Sequence, residues 1–325
     1  MVWLITSATL YGLMCAILIG WPLPEQVGAE NYDYASLTQS SQHVALGREQ
    51  WIGLRDGSKL FARVYDSQSN DTLVLIHGSG SDSRYLSAVA SYLATADLFT
   101  VITPDLRGHG RNPGKRGDID YIGQLEHDIE DLLIFAQAAA QGGMITLGGH
   151  SSGGGLALRY VGTPALKQPA ALLLFAPYLG HKSPTTKPNS GGWVTVALKR
   201  WIGLTMLNRV GIKMANNLKV LMFNRPDHLN DSLQVASYAY RMAVNYAPTH
   251  YIDDIATIRV PTLVLVGEDD ESFHAGEFEA VFDNAKEYVD VIRVKGAKHL
   301  SIVDHASSQR YLVEWYNRIV GASFK

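Results

Sequence analysis

Cysteine is nearly absent: 325 residues contain one, Cys15, inside an apolar N-terminal stretch. The rest of the chain therefore has no disulfide framework and no cysteine-based metal site. A dominant charge is missing too. Lysine and arginine number 28 and aspartate and glutamate 31, for a net charge of −3. That balance lacks the basic surface a nucleic-acid binder needs. No His-Glu-x-x-His or comparable cluster occurs, so metal catalysis has no support and no cofactor is expected. Internal repeats and low-complexity tracts are also missing.

Charged side chains vanish altogether between Met1 and Pro24. The stretch is long enough to span a bilayer as a helix. Val27-Gly28-Ala29 then offers small residues of the kind a signal peptidase cuts. Against a signal peptide, no Lys or Arg precedes the apolar run, and the run exceeds a usual signal core. Three readings stay open: a retained membrane anchor, which is favoured, a cleaved signal, or a buried segment. The Val-Gly-Ala site favours an extracytoplasmic protein, membrane-anchored or secreted, on the periplasmic side if the source is bacterial.

The remaining chain is rich in buried-strand and turn signals. Residues 30–47 are polar and mixed and read as a linker. Asp56-Gly57 between Trp51–Leu54 and Leu60–Tyr65 predicts a hairpin. Leu73–Ile76, Phe99–Thr103, Met144–Leu147, Ala171–Phe175, Thr262–Val266 and Tyr288–Val294 read as strands. Such continuous apolar runs suit a parallel sheet covered on both faces. Helical patterns fall between them, near Ser83–Ala94, Ile119–Ala140, Leu156–Tyr160, Ala275–Asn284 and Ala306–Val320. The expected fold is α/β, a mostly parallel doubly wound sheet. Alternation stops over residues 178–250, which read as an inserted helical cap. The core is then 48–177 together with 251–325, and 1–29 is the anchor or signal.

The chemistry is concentrated at strand ends. Gly149-His150-Ser151-Ser152-Gly153 follows a strand and opens a helix. That arrangement puts Ser151 on a sharp turn with its hydroxyl clear of the sheet. A serine needs a base to take its proton and a third group to orient that base. In sheets of this kind the order is serine, acid, histidine. Gly267-Glu268-Asp269-Asp270-Glu271 leaves a later strand with four consecutive acids. Asp270 is the choice for the orienting carboxylate and Asp269 the runner-up, with Glu268 and Glu271 behind. At least two of the four belong to a solvated turn. Of eleven histidines, His299 follows the last strand and is the expected base. His305 opens the terminal helix and needs no catalytic explanation, and His150 reads as a packing residue of the turn. Backbone N–H groups of Ser79, in the loop His77-Gly78-Ser79-Gly80, and of Ser152 are the expected donors to an oxyanion.

These segments, with Asp105-Leu106-Arg107-Gly108-His109-Gly110 and Gly296-Ala297-Lys298-His299, together resemble the α/β-hydrolase fold. Within it the likeness is to the monoacylglycerol lipase and lysophospholipase-like serine hydrolases, over about residues 48–321. The resemblance implies a triad of Ser151, Asp270 and His299 and an oxyanion hole of Ser79 and Ser152. A serine at the turn favours acyl transfer to water over the carboxylate-based chemistry of the dehalogenases and epoxide hydrolases of this fold. The N-terminal apolar segment departs from many lipases of the group, and the cap holds no lid motif that fixes a substrate.

Charge is distributed unevenly. The cap carries nine Lys/Arg and two Asp, a net +7, which leaves −10 for the rest of the chain. Large apolar residues such as Trp193, Trp201, Ile202, Met206 and Met214 lie among the basic ones. The mixture suits a lipid-facing surface, or else a cap packed on the core with solvated lysines. The expected activity is a carboxylic-ester hydrolase acting through an acyl-enzyme on a lipid-like or other small ester, a monoacylglycerol or a lysophospholipid. A serine peptidase releasing small N-terminal residues is the alternative, and an anchored non-hydrolytic binding protein a third reading. The membrane is the expected partner, through the N-terminal segment and the basic cap. Nucleic acid is not, and nothing in the sequence sets the oligomeric state.

Overall fold

A short run with no polar face is stable only where both faces of a strand are covered. Leu73–Ile76, Leu172–Phe175 and Leu263–Val266 are all fully buried. The computed structural model describes residues 2–26, 32, 44–226 and 231–323. Val27-Gly28-Ala29 and most of the 30–47 linker lie outside the described residues. In chain order the elements are α1 (Val2–Gly20), β1 (Arg48–Gly53), β2 (Lys59–Tyr65), β3 (Thr72–Ile76), α2 (Ser87–Thr95), β4 (Thr100–Pro104), α3 (Gln124–Ala139), β5 (Ile145–His150), α4 (Ser152–Val161) and β6 (Ala171–Phe175). There follow β7 (Val194–Val196), α5 (Leu198–Arg209), β8 (Lys219–Phe223), β9 (Ser237–Ala239), α6 (Tyr240–Asn245), α7 (Tyr251–Ala256), β10 (Thr262–Gly267), α8 (Phe278–Phe282), β11 (Val289–Val294) and α9 (Ala306–Ser323).

The main sheet has eight strands in the order β1-β2-β4-β3-β5-β6-β10-β11. β1 pairs antiparallel with β2, and β2 with β4. Every other neighbour is parallel. This is the mostly parallel α/β sheet that the apolar runs predict. Its consequence for function is directional. β3, β5, β10 and β11 all end at one edge, so the loops after them share one rim.

Three helices differ from the sequence reading, and the one near Ala275–Asn284 is α8 flanked by 3₁₀ turns at Ala275–Glu277 and Asp283–Ala285. Residues 83–94 split into a 3₁₀ turn at Ser83–Leu86 and then α2, with the Asp82 carboxylate accepting from Arg84 N. The helix expected from Ile119 starts at Gln124, because Gly123 turns left-handed at φ +107°. That conformation suits glycine and interrupts a helix.

The insertion after β6 is helical in α5 and α6 and also holds a three-stranded antiparallel sheet, β7-β8-β9. Part of its basic excess faces inward. Arg241 forms a two-pronged pair with Asp118, both contacts 2.7 Å. Arg225 donates to Gly80 O and Ser81 Oγ at 3.2 and 3.1 Å. The core and the basic cap are thus joined by an ion pair and by hydrogen bonds from a cap arginine to the loop after β3.

α1 lies along α5. Tyr11 Oη donates to Met206 O at 2.8 Å, Arg200 Nε to Ile19 O at 3.0 Å, and Cys15 is buried. Gly203 sets the spacing. A Cβ there would stand 2.8 Å from Ile19 Cγ1 and 3.1 Å from Cys15 O. Among the described residues no helix is long and apolar enough to cross a membrane.

Candidate active site

Ser151 sits where β5 stops and α4 begins, with φ 56° and ψ −122°. A serine rarely adopts this region, so the surroundings must hold it there. Ser151 N donates to Phe175 O at 2.9 Å, and Ser151 O accepts from Tyr178 N at 2.9 Å and Gly155 N at 3.0 Å. The crossing is tight enough to require glycine. A Cβ on Gly149 would come within 2.3 Å of Gly153, and one on Gly153 within 2.5 Å of His77 O.

The structure brings together Ser151, His299 and Asp270 from the ends of three strands. His299 Nε2 lies 3.0 Å from Ser151 Oγ, and His299 Nδ1 lies 2.8 Å from Asp270 Oδ2. Asp270 is buried, while Glu268 and Asp269 are exposed. Its second oxygen, Oδ1, accepts from Ser272 N and Phe273 N, both at 2.8 Å. Both oxygens are thus engaged, which sets the plane of the carboxylate. With Nδ1 donating to Asp270, the tautomer leaves Nε2 free to accept from serine. Glu271 has a different place from its neighbours: its Oε2 accepts from His299 N at 2.8 Å. His305 Nδ1 accepts from Ser307 N at 3.2 Å, at the start of α9.

His150 does more than pack. Its Nε2 lies 2.8 Å from His299 O and its Nδ1 2.9 Å from Tyr85 Oη. Gly78 N donates to that same hydroxyl at 2.6 Å. Tyr85 therefore donates to Nδ1, and Nε2–H donates to the carbonyl of His299. Burial and the nearby His299 push the His150 pKa well below the usual histidine range, which keeps the ring neutral for this role. One directed chain thus runs from the loop after β3 to the backbone of His299.

The loop His77–Gly80 is pinned on three sides. Gly78 N is taken by Tyr85, Gly80 N donates to Tyr238 Oη at 2.8 Å, and Tyr246 Oη donates to His77 O at 2.8 Å. His109, of the segment 105–110, bonds the Tyr238 hydroxyl at 2.5 Å. Asp105 of that segment accepts from Ser83 N and Arg111 N at 2.9 and 2.8 Å. Among the described residues the amides of Ser79 and Ser152 have no hydrogen-bond partner. They stand at the ends of β3 and β5, the Ser152 amide at the first turn of α4, where the helix dipole also favours negative charge. Trp193 from the cap reaches in, its Nε1 donating to Ser79 Oγ at 3.1 Å. A small cleft opens over Ser151, walled by Ser79, Tyr85, Trp193, His299 and Tyr32. The sequence reading did not name Tyr32 or Tyr85, and it named Trp193 only among the apolar residues of the cap. Each comes from a segment distant from the motif, and no local pattern marks it.

Residues 67–306 match the family described as serine aminopeptidase, S33. The chain belongs to that family. Among solved structures this S33-family chain is similar to a monoacylglycerol lipase of Paleococcus ferrophilus, with 24% identity and a TM-score of 0.57. That match covers 79% of this chain and 98% of the other. A soluble variant of monoglyceride lipase from Saccharomyces cerevisiae, bound to a substrate analogue, aligns with a TM-score of 0.61 and 16% identity. It covers 92% of this chain and 99% of that one. At these identities the likeness shows the α/β-hydrolase fold. An uncharacterized protein of Mycobacterium tuberculosis is 36% identical over 92 residues, 28% of this chain. The match spans 25% of the length of that relative. The chain thus belongs to the S33 family and has the α/β-hydrolase fold.

Proposed function

We propose that this S33-family protein hydrolyses carboxylic esters of lipid-like substrates, a monoacylglycerol or a lysophospholipid, through an acyl-enzyme. The observation that carries this reading is the hydrogen-bonded line Ser151–His299–Asp270 beside two unpartnered amides. Ser151 Oγ attacks the acyl carbon while His299 Nε2 takes its proton, and Asp270 stabilises the imidazolium. The carbonyl oxygen gains charge and is held by the Ser79 and Ser152 amides; one such donor is worth about 3–4 kcal/mol. The intermediate expels the alcohol, which leaves with the proton from Nε2. Water then gives its proton to His299 and its oxygen to the acyl carbon. The acid departs and Ser151 recovers its proton.

The family description names a peptidase, and that is the second reading. An aminopeptidase must hold the substrate's α-ammonium group with a carboxylate or carbonyls. None of the described residues lining the cleft is Asp or Glu, which favours the ester. A fluorophosphonate probe labels the wild-type protein and spares Ser151→Ala. Turnover of p-nitrophenyl esters, rising with acyl length and exceeding turnover of aminoacyl-naphthylamides, is the expected result. Labelling of the alanine variant removes Ser151 as nucleophile, faster amide cleavage favours the peptidase, and folded protein that takes no probe favours a non-catalytic binding role.

The membrane belongs to the same proposal. α1 and α5 leave Leu10, Leu13, Ile17, Leu198 and Ile202 exposed, and Met214 beyond α5 is 89% exposed. Lys199, Arg209 and Lys213 lie among them. An apolar face rimmed by cations suits anionic lipid headgroups. Flotation with vesicles containing phosphatidylserine, lost in high salt or on removal of residues 1–20, is the expected behaviour. An extracytoplasmic location is proposed with it, and intact mass from a native-like host shows whether residues 1–29 are retained.

A further inference from the structure

The cleft has a wall that the family motifs do not supply. Tyr32 lies upstream of the matched stretch 67–306, yet the residue is only 6% exposed and lines the active-site cleft. Its ring stands edge-on to the His299 imidazole, centroids 6.1 Å apart at 90°. It also meets the ring of Trp193 of the cap, centroids 5.6 Å apart. Its hydroxyl donates to Ser190 O at 2.6 Å and is hydrogen-bonded to the Ser272 hydroxyl. Ser272 is the residue whose amide binds Asp270. One side chain therefore touches the base, the loop of the acid and the cap.

Chemistry decides which part of a substrate meets this ring. The carbonyl oxygen must face the Ser79 and Ser152 amides. The leaving oxygen must face His299 Nε2, because the proton it departs with comes from there. Whatever hangs from the leaving oxygen extends on the His299 side, where Tyr32 stands. Resting on the triad reading above, we propose that Tyr32 is a specificity-determining residue that walls the alcohol side of the cleft and limits the bulk of the leaving group. The hydroxyl anchors the ring between acid loop and cap, and the ring itself sets the limit.

Two ester series separate this role from others. The first holds the acyl group as butyrate and enlarges the alcohol from methyl to butyl to 2-naphthyl. The second holds p-nitrophenol and lengthens the acyl chain. In Tyr32→Ala the ratio of kcat/KM for naphthyl over methyl butyrate rises about tenfold or more, the scale of a pocket that gains space. The acyl-chain profile keeps its wild-type shape. Tyr32→Leu, which removes the aryl bulk but keeps an apolar side chain, moves the same ratio in the same direction. Tyr32→Phe keeps the wild-type ranking. Fluorophosphonate labelling of Ser151 in each variant reports an intact site. Labelled variants whose alcohol ranking is unchanged, or in which only the acyl profile moves, overturn the inference alone. Wild-type protein that takes no probe and cleaves no ester overturns the triad reading and this inference with it.

Discussion

At the scale of single residues, the site depends on which nitrogen of His299 carries the proton. Asp270 decides this, since a carboxylate accepts only and so retains the proton on Nδ1. Asp270→Asn can present its amide N–H to Nδ1 and turn the tautomer round, so that Nε2 no longer accepts from Ser151. The expected outcome is a fall in kcat of about 10⁴ with little change in KM, read by steady-state hydrolysis of one p-nitrophenyl ester. A loss under tenfold shows that another acid orients the base. Tyr85→Phe tests the line from Gly78 to His150. It strands the Gly78 amide and one His150 nitrogen, at about 1–3 kcal/mol of stability. Thermal unfolding measures that cost. The residues of the motifs were legible because each sits in a short signature at the end of an apolar run: Ser151 between glycines, His299 past the last strand. Asp270 could be preferred over Asp269 but not separated from it, since four acids in a row look alike until one is buried against the histidine. The Glu271 contact with His299 N and the Tyr85–His150 bond join loops far apart in sequence and leave no local trace.

Among elements, legibility followed length and burial. β3, β6 and β10 announced themselves because strands buried on both faces must be apolar throughout. The start of α3 was missed because one glycine at positive φ overrides five residues of compatible pattern. β7 and β9 are three residues each, too short for alternation to show, so the insertion read as helices alone. The contact between α1 and α5 was also hidden, since nothing in an apolar N-terminal run names its partner. Gly203 makes that contact possible, as small residues do wherever helices approach closely. Gly203→Val therefore wedges α1 away from α5, with Ile19 and Leu18 the first to move. Cys15, buried in the native packing, becomes accessible. Its modification rate with a maleimide rises about tenfold or more if opening costs over 1.4 kcal/mol less than in wild type, while ester turnover by the soluble assay holds. An unchanged rate shows that α1 is held by something other than this seam.

Over the whole molecule, three buried imidazoles set the response to acid. His77, His109 and His150 all have pKa values pushed down, in each case chiefly by burial. The unfolded chain binds their protons near the ordinary histidine value of about 6.5, while the folded chain resists. Between these limits the unfolded state holds more protons, so stability is fully present above about pH 6.5 and is lost as pH falls below it. Asp254 works in the opposite direction. Burial raises its pKa from 3.8 to about 6, and its Oδ2 has no hydrogen-bond partner among the described residues. A carboxyl raised in the folded state costs stability above pH 6, and the cost fades as pH falls through about 6 towards 3.8. Asp254→Asn removes the charge and keeps the shape. The variant should unfold at a higher temperature than wild type at pH 8, and the gap should close by about pH 4. Its acid limb below pH 6.5, owned by the histidines, should steepen relative to wild type because the opposing group is gone. Melting curves of both proteins from pH 4 to 8 decide it: a gap that stays constant with pH means that Asp254 is destabilising through its shape or its neighbours, not through its charge.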